Sequence, residues 1–170
     1  MNLSIIVASQ GRESLIKTLE SITPQMLPGD ELLVKMDASN DWGATPRTKA
    51  MGQARGDYLL FMDDDDVYKP GAFAAVRAAI VEEPWRPLMF GMFRHHHEPA
   101  TEAVLPRSFE LIEGNISTQM FVLPNNPSRL GVWGTRYEGD FDFIVSTLAF
   151  YPPGSLVWRP EVISEWRASR

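Results

Sequence analysis

The stretch Tyr58-Leu59-Leu60-Phe61-Met62-Asp63-Asp64-Asp65-Asp66 decides how this chain is read. A short apolar run of strand length stops abruptly at four consecutive aspartates, the pattern of a buried strand that ends in a carboxylate cluster. Adjacent like charges repel and raise one another's pKa, so such a cluster calls for a compensating cation or basic ligand. Carboxylate oxygens favour Mg²⁺, Mn²⁺ or Ca²⁺, and Mg²⁺ or Mn²⁺ commonly bridges to the phosphates of a bound substrate. The stretch therefore points to metal-assisted chemistry on a phosphorylated compound.

Upstream, Leu3 to Ser9 is a mostly apolar, partly β-branched run that ends at Gly11, the mark of a first strand. Leu15, Ile16, Leu19 and Ile22 then recur at helical spacing, and Pro24 with Pro28-Gly29-Asp30 closes that helix. Glu31 to Met36 reads as a second strand, after which Thr45 as cap and Pro46 as first residue open a helix that Gly56 ends. Beyond the aspartates, Pro70 starts a helix carrying Phe73, Val76 and Ile80 on one face, stopped by Pro84. Strands alternating with helices imply an α/β fold with a mostly parallel central sheet flanked by helices. The second half is less regular. Leu88 to Phe93, Gln119 to Leu123, Val157-Trp158 and Val162 to Trp166 read as strands and Asp140 to Phe150 as a helix, giving mixed pairing there.

At 170 residues, residues 1–170 are the size of one domain. The hydrophobic share of 44% leaves no room for a disordered reading. A net charge of −6 gives no footprint for non-specific nucleic-acid or anionic-membrane binding. With no cysteine, disulfides, zinc thiolates and cysteine nucleophiles are excluded. No apolar run approaches membrane-spanning length, and no cationic region precedes the short segment Leu3 to Ala8, so the expected location is cytoplasmic.

In open α/β sheets ligands bind beyond the carboxyl ends of the strands, and every such position here is polar. The first strand delivers Ser9, Gln10 and Arg12, the second Asp37, Ser39, Asn40 and Asp41, and the third the aspartates. Arg47, on the helix between, is a cation suited to lie beside a diphosphate.

In this order the motifs resemble the family 2 glycosyltransferases, GT-A fold enzymes that move a sugar from a nucleotide diphosphate donor to an acceptor. SIIVASQGR (4–12) is similar to that family's opening strand, and LLVKMDASND (32–41) to its strand with the acidic nucleoside-binding loop. Residues 47–58 and then LLFMDDDDVYKPGAF (59–73) resemble its arginine helix, third strand and aspartate motif, and YEGDFDF (137–143) its acidic motif at an acceptor-side helix start. Ala38 stands where the family usually has glycine and Thr48 where asparagine is common.

The resemblance implies a nucleotide-sugar half over 1–92 and an acceptor-side half over 93–170. Asp37 would bind the uracil or ribose of a UDP-sugar, with Ala8, Ser9, Arg12, Arg47, Asp63 and Asp64 around the donor. Asp65 would ligate Mn²⁺ or Mg²⁺, and Asp140 would be the general base of an inverting transfer. Trp133, Asp142 and His95 are acceptor-side candidates. Trp133 stands between Gly131 and Gly134 just before Asp140, whereas Trp42, Trp158 and Trp166 read as core. The acceptor stays open among a saccharide, a lipid-linked glycan, a protein, a metabolite and a modified nucleobase. Little sequence is left for a separate acceptor domain, which a partner or a second copy of the chain would then replace.

Each residue also has a plain structural reading: Asp37 with Ser39 and Asp41 as an Asx-type turn, Asp140 as a helix cap, Arg47 as an exposed helix residue. Alternation along a strand lets at most two of His95, His96 and His97 converge, on a metal or on the acceptor. Two rival functions remain. Asp63-x-Asp65-x-Val67 matches the nucleophile motif of haloacid-dehalogenase-like phosphotransferases, with Asp63 attacking phosphorus, but no lysine follows Lys69 to hold the phosphate. A non-catalytic sugar-nucleotide-binding protein is the other.

Overall fold

Strand β1 (Leu3–Ser9) is buried along its whole length, and its side chains alternate between two cores. Leu3, Ile5 and Val7 join one core and Ile6 the other, the period-2 consequence of a strand covered on both faces. The computed structural model describes residues 1–95 and 102–166. After β1 come α1 (Leu15–Ile22), β2 (Glu31–Met36), α2 (Ala44–Met51) and β3 (Tyr58–Asp63). Next are β4 (Val67–Tyr68), α3 (Ala72–Glu82), β5 (Leu88–His95), β6 (Glu102–Leu105), β7 (Phe121–Pro124), α4 (Gly139–Leu148) and β8 (Val157–Trp166). Among the described residues no helix is long and apolar enough to cross a membrane.

The sheet runs in the order β2-β1-β3-β7-β5-β8-β4, with β6 beside β5. Strands β2, β1 and β3 are parallel, as the alternating pattern requires. Strand β7 then inserts antiparallel between β3 and β5, so β5 again runs in the direction of β3, and β8 runs parallel to β5. The carboxyl ends of β1, β2, β3, β5 and β8 consequently lie on one edge of the sheet. Helices α1 and α3 cover one face through Ile22, Phe73, Val76 and Ile80. On the other face α2 and α4 contribute Ala44, Ala50, Phe143 and Ile144.

Element by element, the structure departs from the sequence pattern where long-range contacts intervene. Helix α2 starts at Ala44, after Gly43 in the left-handed region at φ 81°, so Pro46 is its third residue, not its first. Thr45 is capped, not capping: Asp41 accepts its backbone N–H at 3.0 Å. Residues Thr118–Met120 form a 3-10 turn, and the strand begins only at Phe121. The two apolar pieces at the end are one strand, β8, whose register against β5 shifts between Trp158 and Val162, around Pro160. Proline donates no ladder hydrogen bond, so the strand bulges there, and the register shifts once more between Val162 and Ser164 before pairing continues to Trp166. The short edge strands β4 and β6 have no alternating signature and go unread from sequence.

An aromatic cluster anchors α4. Phe143 is fully buried and stacks on Trp133 with centroids 4.2 Å apart and 3° between planes, while Phe61 meets it edge-on at 5.4 Å. Phe143→Ala should therefore cost about 3–5 kcal/mol of unfolding free energy, read from a shifted denaturant midpoint. A cost near zero would mean that α4 is not held by this cluster.

Candidate active site

A cavity of about 560 Å³ opens at the carboxyl edge of the sheet, and the nine residues Ala8, Ser9, Arg12, Asp37, Arg47, Asp63, Asp64, Asp65 and Asp140 all line it. They come from the ends of β1, β2 and β3 and from α2 and α4. Asp37 follows β2 and folds its loop by accepting the Ser39 backbone N–H at 3.1 Å, the Ser39 hydroxyl at 2.9 Å and the Gly43 N–H at 3.0 Å. This is the Asx-type turn anticipated from sequence, and it leaves Asp37 half-buried at the cavity wall.

Arg12 and Gln119 each bridge two of the four aspartates. Arg12 donates to Asp64 at 3.1 Å and to Asp65 at 2.7 Å, while the Gln119 amide donates to Asp63 at 3.1 Å and to Asp66 at 2.5 Å. Asp64 is buried and also accepts the Ser9 hydroxyl at 2.8 Å and the Gln10 backbone N–H at 2.7 Å, tying the end of β1 to the end of β3. Asp63 is paired with Arg47. That arginine is buried, donates to the Trp42 carbonyl at 2.7 Å and lies over the Trp133 ring at 4.7 Å. The reading of Arg47 as an exposed helix residue is thus corrected: its guanidinium is a strut between α2, β3 and the aromatic cluster. Both Asp63 oxygens are engaged, one by Arg47 and one by Gln119, which leaves it poorly disposed to attack phosphorus.

Asp65 keeps a partly exposed carboxylate at the cavity. Burial raises its pKa, the charges of Asp63 and Asp64 raise it further, and Arg12 opposes them. Asp140 stands at the start of α4, half-buried. Its pKa is raised, chiefly by burial and additionally by the charge of Asp63, against the pull of a Ser117 hydrogen bond and Arg47. A carboxyl group held above its ordinary value and opening on a polar cavity has the attributes of a general base. Gly139 makes this placement possible, because a Cβ there would collide with the Gly134 carbonyl oxygen.

Three acceptor-side expectations are corrected or fall elsewhere. Trp133 is only 5% exposed, packed between Arg47 and Phe143 with no open face for a sugar. Asp142 points away from the cavity into a two-pronged pair with Arg136, at 2.7 and 2.8 Å, which lowers its pKa. The His95 side chain lies outside the described residues, as do His96 and His97. Residues not anticipated include Gln119, Ser117, Tyr137 and Arg94, all at the cavity wall. Trp42, expected in the core, is 58% exposed and meets Tyr137 edge-on at 5.2 Å beside the cavity. Its position between Asp41 and Gly43, in a loop, is the signal that argues against a core role.

The sequence of residues 38–86 matches the family model described as glycosyl transferase family 2. The chain resembles the family 2 glycosyltransferases and has the GT-A fold. Across the whole chain the likeness is one of fold. The structure of S. aureus TarS superposes with a TM-score of 0.74 over 97% of this chain and 36% of that one, at 15% identity. TarS 1-349 in complex with UDP gives 0.74 over 98% and 60%, at 16% identity, and its complex with UDP-GlcNAc gives 0.70 over 100% and 60%, at 15%. The present chain thus spans between 36% and 60% of the length of these GT-A structures. No curated protein sequence matches it.

The raised pKa of Asp140 has a consequence for stability. A carboxyl whose folded-state pKa lies above the ordinary 3.8 binds its proton more tightly when folded, so its ionised form costs stability as pH rises through that value. Asp140→Asn should raise the thermal midpoint at pH 7, and the gain should vanish below pH 3.8, where the wild-type group is protonated in both states. A lower midpoint at pH 7 would mean that the ionised carboxylate stabilises the fold.

Proposed function

We propose that the chain is a metal-dependent, inverting glycosyltransferase unit that uses a UDP-sugar. The observation carrying this reading is the convergence of Asp37, Asp65 and Asp140 on one cavity, delivered by three separate elements in the order the family motifs require. The family match over 38–86 and the GT-A likeness to structures holding UDP and UDP-GlcNAc support it.

In this reading residues 1–92 hold the donor and 93–170 face the acceptor. Asp37 binds the nucleoside, and Ala8, Ser9, Arg12 and Asp64 shape the wall beside it. Arg47 sets Asp63 in place. Among the described residues no three acidic, histidine or cysteine side chains converge as a ready-made metal cage. Asp65 nevertheless fits a divalent cation, since the neighbouring carboxylates that raise its pKa would be relieved by one. Mn²⁺ or Mg²⁺ bound by Asp65 would supply charge to stabilise the leaving diphosphate. Asp140 takes the proton of the acceptor hydroxyl, and direct displacement at the anomeric carbon inverts it.

The test is UDP release from UDP-GlcNAc in the presence of Mn²⁺ across an acceptor panel. Asp140→Asn should lower turnover about 10²-fold or more while donor binding is kept, and Asp65→Asn should remove the metal dependence of binding. Because Asp140 acts ionised, wild-type kcat should rise with pH through its raised pKa and then level off. Equal turnover in Asp140→Asn would reduce that residue to a structural carboxylate in the first turn of α4, whose cap is Glu138.

A further inference from the structure

Three arginines line the cavity, and two are committed to carboxylates: Arg12 to Asp64 and Asp65, Arg47 to Asp63. The third, Arg94, makes no ion pair and no side-chain hydrogen bond with any described residue, and its Nε is buried without a partner. Its single described contact is a stack over the Trp166 ring at 4.8 Å. Two glutamates from the same half of the chain also line the cavity, but Arg136 takes both, Glu138 at 3.1 Å and Glu113 at 2.5 Å. Among the described residues of a chain with net charge −6, one cavity cation is therefore left without a carboxylate partner.

The backbone explains why Arg94 is held there. It sits near the carboxyl end of β5, opposite Trp166 on β8, and Met92 lies two residues earlier on the same face, opposite Leu105 on β6. Met92, Leu105 and Trp166 line the cavity with it, so the guanidinium emerges from an apolar floor. In such surroundings a planar fork of N–H donors has a strong preference for a phosphate or carboxylate. This floor belongs to β5, β6 and β8, apart from the β1, β2 and β3 loops assigned to the nucleotide.

We infer that the Arg94–Trp166 end of the cavity receives an anionic group, phosphate or carboxylate, carried by the acceptor. The inference rests on the glycosyl-transfer reading, which makes Asp140 the group that meets the acceptor hydroxyl. Arg94 fixes the charged end of the acceptor while Asp140 faces its reacting hydroxyl, and an uncharged acceptor leaves Arg94 desolvated and unpaired. The site thereby selects anionic acceptors over neutral ones.

The test follows the Trp166 indole N–H by NMR in the full chain, assigned with Trp166→Phe, with UDP and Mg²⁺ present so that the donor side is filled. Inorganic phosphate and acetate are titrated separately. The expected result is a saturable shift whose dissociation constant weakens about tenfold or more in Arg94→Gln and which stays saturable in Arg94→Lys. Saturation by phosphate alone assigns a phosphorylated acceptor, and by acetate alone a carboxylated one. A linear shift that is the same in wild type and Arg94→Gln, with UDP bound, overturns the inference and leaves the donor reading intact. UDP that fails to perturb the Ser9 and Asp37 backbone amides overturns the donor reading instead, and with it the assignment of the anion to an acceptor.

Discussion

Four consecutive carboxylates at the end of a buried strand repel one another, and the edge of the sheet where they lie is organised around keeping them apart. Arg12 takes the middle pair and Gln119 the outer pair, while Arg47 adds a buried cation to Asp63. Arg47 is buried while Asp63 is partly exposed, so losing the carboxylate would leave a buried guanidinium uncompensated, and the contact is a constraint on the fold as well as on the site. Through it α2 is drawn against β3, the Trp42 carbonyl is pinned, and the Trp133–Phe143 stack is placed beneath the guanidinium. That stack holds α4, and α4 begins with Asp140. The candidate base is thus linked to the aspartate cluster by one continuous chain of contacts.

Compensation is incomplete by design of the positions involved. Asp64 and Asp66 are buried and served by neutral donors or Arg12, whereas Asp65 keeps one face toward the cavity with its pKa raised. The unspent electrostatic cost falls on Asp65 at the cavity wall, since the more exposed Asp63 has both oxygens engaged, by Arg47 and Gln119. Asp140 shows the same trade, since burial and the charge of Asp63 make its ionised form costly where chemistry would use it. Arg94 is the converse case, a cation whose partner among the described residues is the Trp166 ring.

Much of this was legible in the sequence where the signal is local. Alternation and helix punctuation located the first three strands and helices, and the polar residues after each strand were found because a parallel sheet gathers its carboxyl ends on one edge. What stayed hidden depends on distance along the chain. Gln119 reads as a strand residue, and only the fold brings it to aspartates 53 and 56 positions earlier. Trp133 and Trp42 carry the same side chain, and their exchange of roles, one buried under Arg47 and the other at the cavity mouth, follows from packing that no residue type announces. Asp142 lies two positions from Asp140 on a helix, which turns it about 200° away toward Arg136. Arg94 is concealed in a strand whose neighbours, β6 and β8, have no clear pattern of their own.

The central claim is that the carboxyl edge of β1, β2 and β3 holds a nucleotide diphosphate through a metal at Asp65. Calorimetric titration of UDP, GDP and TDP into the chain, each with Mn²⁺ and again with chelator, tests it without knowledge of the acceptor. The account predicts saturable binding of UDP in preference to the other two, present with Mn²⁺ and lost with chelator. No binding of any diphosphate with Mn²⁺ present would contradict it.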